Sequence, residues 1–284
     1  MLQSRVSIYS VCIAALVLTS PLARAESTCP TCSVEIRIGG SAASFNSEIR
    51  LDSRLNEEAV GDVLDFEDDL NYSKDDSFLY SSFNWRFLDR HSINIIYTEY
   101  SRSASISSEN DIRFSDDVLL SGALISTEVK SSVKDIEYIY EFYSEGATRL
   151  GASAGVYWST REFNLRAEGI VDPDGDEAAT LQLDYRKSAE VDVPLPTFGL
   201  HLDYQISPRW SIKSNIRILK IQIGHTEGSF RNFGAELDYE FTKNLLGGIA
   251  FTSRSVNISS SREQLTGELN WNYDGIDLFF ISRF

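Results

Sequence analysis

Apolar residues recur at every second position over most of this chain. In residues 135–143, Ile136, Tyr138, Tyr140 and Phe142 fall on one face and Asp135, Glu137 and Glu141 on the other, with Ile139 breaking the alternation. Residues 149–158 set Leu150, Ala152, Ala154, Val156 and Trp158 against Arg149, Gly151, Ser153, Gly155 and Tyr157. Residues 198–206 set Phe198, Leu200, Leu202, Tyr204 and Ile206 against Gly199, His201, Asp203 and Gln205. Residues 232–241 repeat the pattern, with Phe233, Ala235, Leu237, Tyr239 and Phe241 alternating with Asn232, Gly234, Glu236, Asp238 and Glu240. A period of two over such lengths predicts strands with one apolar face.

The joints between these runs are of two kinds. Leu88-Asp89-Arg90, Ser144-Glu145-Gly146, Ser207-Pro208-Arg209 and Thr242-Lys243-Asn244 are tight. Between them lie longer polar connections near 54–75, 106–124, 166–190, 224–229 and 258–264. The pattern divides the chain into ten strands, at about 34–52, 76–88, 91–105, 125–143, 148–165, 191–206, 210–223, 230–242, 245–257 and 265–284. Gly39-Gly40-Ser41-Ala42-Ala43 interrupts the first strand and reads as a bulge or a bend. Merging or splitting segments there gives eight or twelve strands. A soluble sandwich would also alternate. Short turns at one end, long loops at the other and abundant outward aromatics instead mark a transmembrane antiparallel up-and-down β-barrel. An even strand count sets both termini at the short-turn, periplasmic end.

Residues 1–25 have the three parts of a secretory signal: Arg5, the apolar stretch Val11 to Thr19, and Ala23-Arg24-Ala25 before a cleavage site at Glu26. The apolar stretch is shorter than the ~20 residues of a spanning helix. This predicts a signal peptide at 1–25, a periplasmic segment at 26–33 and a barrel domain at 34–284. Removing Arg5 and Arg24 leaves 24 basic against 42 acidic residues, a net charge of −18. Such an acidic chain is a poor partner for nucleic acid, whose phosphates call for a basic face. Aromatics at 12%, with 6 Pro and 1 Met, make a strand-rich palette. In an oxidising periplasm Cys29 and Cys32 are expected to form a small local disulfide. Redox and zinc roles have less support, because strand-type alternation follows at once and two sulfurs do not complete a zinc site.

The chain closes on GIDLFFISRF, with Ile276, Leu278, Phe280 and Phe284 on one face and Gly275 before them. This resembles the C-terminal assembly signal of bacterial outer-membrane proteins, apart from Ser282 where an apolar residue is usual. The whole chain resembles the small outer-membrane β-barrel proteins of Gram-negative bacteria. The resemblance implies a place in the outer membrane, contact with lipid and lipopolysaccharide, and engagement by the barrel-insertion machinery. A monomer is expected.

By strand parity the interior receives Arg86, Glu137, Glu141, Arg149, His201, Asp203, Lys213, Arg217, Glu236, Asp238 and Arg254, with Asn84 and Glu240. These read as a lumen charge network, with His201 and Asp203 facing Lys213 and Arg217. Buried charges are tolerable only when paired. A barrel of this size has room for little beyond its side chains. The loop around 60–76 carries Val63, Leu64, Phe66 and Leu70 among seven carboxylates, which suggests that it folds back, with the barrel mouth as the candidate surface; a flexible, solvated loop is the alternative.

Three further features carry candidate chemistry. Asp172, Asp174 and Asp176 have the 1-3-5 spacing of an EF-hand loop, but Glu177 and Leu183 stand where a Gly and a Glu are required. A weak Ca²⁺ or Mg²⁺ loop site is the alternative to a solvated turn, and no other cofactor is expected. His225 with Asp116 and Asp117 would form the rim site of an omptin-like protease only if geometry joins them. The leading expectation is a non-enzymatic protein with a structural or surface-interaction role and a mostly filled lumen. The alternatives are a narrow cation-preferring pore, and a rim protease or lipid-modifying enzyme.

Overall fold

The computed structural model describes residues 33–51, 62–107, 111–114, 117–119, 121–172, 180–223, 226–262 and 265–284. The expected signal peptide and the Cys29–Cys32 pair lie outside the described residues. The strands are β1 (Ser33–Leu51), β2 (Leu64–Asp65), β3 (Asp75–Leu88), β4 (His91–Ser107), β5 (Ile112–Phe114), β6 (Asp117–Leu119), β7 (Leu124–Glu145), β8 (Thr148–Asp172), β9 (Thr180–Ser207), β10 (Trp210–Ile223), β11 (Thr226–Thr242), β12 (Leu245–Arg262) and β13 (Leu265–Arg283). Ten of them, all but β2, β5 and β6, pair antiparallel with their neighbours in chain order. Pairing of β1 with both β3 and β13 closes the ring. Phe284 and Val34 complete that seam with two backbone hydrogen bonds, of 2.9 and 3.2 Å.

The four tight joints fall where the alternation stops, as the sequence predicts. Gly146 takes φ +59° in one of them, a conformation that suits glycine. The segment Gly39–Ala43 is neither bulge nor bend: it pairs on both sides without a register shift. Its small residues serve a different purpose. A Cβ on Gly39 would lie 2.5 Å from the ring of Tyr80, its register partner on β3.

The longer connections are shorter than the sequence reading has them. β8 runs to Asp172 and β9 starts at Thr180, so most of 166–190 is strand. β9 is 28 residues long, against the ~9–11 that a tilted strand needs to cross a bilayer. The surplus projects beyond the apolar belt. On β7, Ile136, Tyr138, Tyr140 and Phe142 are exposed on the outer wall near the turns. Toward the loops the outward positions become Ser126, Glu128, Lys130, Ser132 and Lys134, while Ile125, Val129 and Val133 are buried inside. β4 behaves likewise, with Ile95 and Tyr97 followed outward by Glu99, Ser101, Ser103 and Ser105. On β13 the exposed residues are Ile276, Leu278 and Phe280, whereas Leu269 and Trp271 are buried in the interior.

The apolar stripe therefore changes face part-way along the strands. The turn-end half has an apolar exterior about nine residues tall, the height a bilayer requires. The loop-end half has a polar exterior and an apolar interior, as a barrel standing in water requires. Its core gathers Phe45, Ile125, Val129, Tyr157, Phe163, Leu165, Phe230, Val256, Leu269 and Trp271.

Candidate functional site: the lumen and its plug

Two layers occupy the lumen. In the turn-end half the inward positions combine ionic groups with a small apolar cluster of Leu246, Ala250, Phe279 and Ile281. Arg37 grips Glu236 with both terminal nitrogens, at 2.8 and 3.0 Å, and its guanidinium lies 4.1 Å from the Phe279 ring centre. Lys213 joins Glu236 at 3.2 Å and Asp238 at 2.7 Å. Arg283 donates to Glu35 at 2.8 Å, and Arg86 pairs with Glu141. Further along the lumen, Arg217 makes a two-pronged contact with Asp135, at 2.6 and 2.8 Å, and approaches Glu137 at 3.1 Å. Glu137 also meets His201 Nε2 at 3.0 Å. Arg149 and Asp203 are 4.0 Å apart near the turn end. Arg254 donates to Asn232 at 2.9 Å and lies against the Tyr157 and Tyr273 rings.

The contacts among these side chains differ from the cluster expected from sequence. Asp203 and Lys213 are register neighbours, yet the Lys213 amine turns to β11, which offers two carboxylates. His201 and Arg217 meet through Glu137 on β7. Glu35, Arg37 and Asp135 were missing from the expected network. Their signal was present: Asp135 shares parity with Glu137 and Glu141, and Arg37 with Glu35.

Above this layer the segment 62–74 turns into the barrel. β2 pairs with β1, and the Phe66 amide donates to the Ser47 carbonyl at 2.9 Å. Asp65 folds the loop on itself by accepting from the amides of Glu67 and Asp68, at 2.8 and 2.7 Å. This is the Asx-turn chemistry that makes aspartate a loop former. Leu64, Phe66, Leu70 and Tyr72 are thereby buried. The Phe66 ring meets Tyr72, Phe163 and Trp271, with centroids 5.2, 5.9 and 5.8 Å away. Glu67 enters with them. It accepts from Arg102 at 2.8 Å and from the Ser47 amide at 2.8 Å. Arg102 also donates to the Ser73 carbonyl at 2.6 Å, so both stems of the loop are tied to β4. Of the apolar residues among the carboxylates of 60–76, Leu64, Phe66 and Leu70 thus enter the barrel, while Val63 stays 56% exposed.

The remaining candidates fare differently. Ser153, His201 and Glu137 are together, but one ring nitrogen, Nε2, faces both the hydroxyl and the carboxylate. A serine relay needs them on opposite nitrogens, so this trio holds a ring in place rather than activating Ser153. Asp116 and His225 of the rim site lie outside the described residues, as do Asp174 and Asp176. Asp172 is the last residue of β8. Among the described residues no group of three or more His, Cys, Asp or Glu gathers in a way that would hold a metal ion. In the terminal motif, Leu278 and Phe280 are 65% and 63% exposed on the outer wall, with Ile276 and Phe284 beside them.

No family model and no curated protein matches the sequence. Among solved structures, the outer-membrane protease OmpT of Escherichia coli matches with a TM-score of 0.58 at 12% identity, over 89% of this chain and 97% of that one. Ail of Yersinia pestis covers 98% of its own length and 87% of this chain, at 10% identity and a TM-score of 0.34. OprG of Pseudomonas aeruginosa gives 12% identity and a TM-score of 0.34, over 89% of this chain and 96% of its own. The likeness to OmpT is one of fold.

Proposed function

Starting from a chain with the fold of an outer-membrane β-barrel, we propose that it is a non-conducting envelope protein. In this reading its membrane half is an anchor and its projecting half a rigid surface platform. The observation that carries this is the placement of Leu64, Phe66, Leu70 and Tyr72 inside the barrel, beside Phe163 and Trp271. An apolar plug across a lumen leaves no continuous polar path for a solute. Below it, the ionic groups are engaged with one another, which fits a filled interior better than an ion pathway.

The outer wall supports the surface role. Hydroxyl and charged residues clothe the projecting strands, so their loop-end tips stand above the lipid on a stiff support. In this reading the protein resides in the outer membrane of a Gram-negative bacterium as a monomer, since a closed ring leaves no edge for a second copy. Lipid and lipopolysaccharide contact its wall. The insertion machinery engages the outward residues of β13.

Conductance of the refolded protein in a planar bilayer tests the reading. Silence in a correctly folded sample is the expected result. Stable cation-selective steps would overturn it in favour of a narrow pore.

A further inference from the structure

Arg161, on β8, is 1% exposed and lies in the apolar half of the lumen. Its Nη1 donates to Ser159 Oγ at 2.7 Å, and its guanidinium stands 4.6 Å from the Trp271 ring centre. Its Nε has no acceptor, and among the described residues Arg161 forms no ion pair. Directly across the strand pair from it is Ser131, also 1% exposed, whose Oγ has no partner either. Arg102 reaches the same tryptophan from β4, 5.7 Å from the ring centre, and its Nη1 is likewise unpartnered. Arg102 holds two carboxylates, Glu67 through Oε1 and the half-exposed Asp76 at 3.8 Å, while Glu67 Oε2 accepts from the Ser47 amide, and neither carboxylate pairs with Arg161.

A guanidinium does not discharge by losing its proton inside a protein. Water would satisfy the orphan donors but not the charge, and a ring face offsets only part of the cost of desolvating it. We infer that this pocket binds a small monoanion, of chloride to nitrate size. Arg161 Nε is the principal donor, and Ser131 Oγ and Arg102 Nη1 complete the cradle. The site lies beneath the plug, since Phe66 touches both Phe163 and Trp271. The anion therefore enters as the barrel folds and locks the plug from below.

Two measurements test this. The full chain refolded in bromide is crystallised, and anomalous scattering is read at Arg161. A peak within hydrogen-bonding distance of Nε is expected, and an empty anomalous map there overturns the site. In parallel, urea unfolding is followed at constant ionic strength while chloride replaces gluconate. The wild-type midpoint rises with chloride, Arg161→Met abolishes the dependence, and Ser131→Ala weakens the apparent affinity several-fold. A wild-type midpoint indifferent to the anion overturns the proposal, as does an Arg161→Met protein that titrates like wild type. Should Arg161→Met fail to fold, Ser131→Ala and the bromide map decide, and a Ser131→Ala titration matching wild type removes the serine from the cradle.

Discussion

Glu67 and Arg102 meet at 2.8 Å with both side chains 2% exposed, one on an acidic loop and the other on a barrel strand. Removing one partner leaves the other charged in a dry interior. Either Glu67→Ala or Arg102→Ala is expected to destabilise the docked loop by about 3–5 kcal/mol. Limited proteolysis would show this as new cleavage within 62–74, with the barrel strands still protected. Protection equal to wild type in both variants would mean that the pair does not hold the plug.

Tyr72 supplies a pH test of the same element. Burial pushes its phenol up to about 12, from an ordinary value of 10.0. The folded-state value is the raised one. The contribution is therefore complete below pH 10 and is lost as the pH rises through about 12. Unfolding midpoints measured at pH 8, 10 and 11.5 should fall more steeply in wild type than in Tyr72→Phe. Identical pH profiles would show that this hydroxyl remains accessible to water.

The change of face along the strands predicts opposite responses to one substitution. Leu278→Arg places a charge in the apolar belt and should cost about 2–4 kcal/mol near mid-bilayer. Ser103→Arg, on the projecting wall, should be close to neutral. Refolding into vesicles, with unfolding free energies for each, maps the boundary. Equal costs at the two positions would mean that lipid covers both.

At Gly39 the issue is space. Valine there collides with the Tyr80 ring, and overpacking of this kind costs about 1–3 kcal/mol. Combining Gly39→Val with Tyr80→Ala should recover part of that loss. A double-mutant cycle measures the coupling, and strictly additive effects would argue against the contact.

Much of this fold was legible because a membrane barrel repeats one rule. Outward Tyr138 and Phe280, inward Glu137 and Asp238, and the tight joint at Gly146 each follow from parity and turn chemistry. What escaped was the half of the barrel that stands in water. There the apolar stripe moves from even to odd positions, from Ile136 to Val133 on β7 and from Ile276 to Trp271 on β13. Strand segments with polar outward positions, such as 166–168 and 188–190, therefore read as loop. The lumen partners escaped for another reason. Parity says that Arg217 points inward, but only barrel curvature brings it across to Asp135 on β7, 82 positions away in sequence.

The seam between β1 and β13 joins Val34 to Phe284. These contacts join residues far apart in sequence, and contacts of that kind are slow to form. The ring has no stable half-closed form in lipid, because an open sheet would present unpaired peptide groups to hydrocarbon. Closure must therefore wait until β1 and β13 are both at hand. Until that seam forms, the edges of β1 and β13 present unpaired peptide groups on which a strand of another chain could pair.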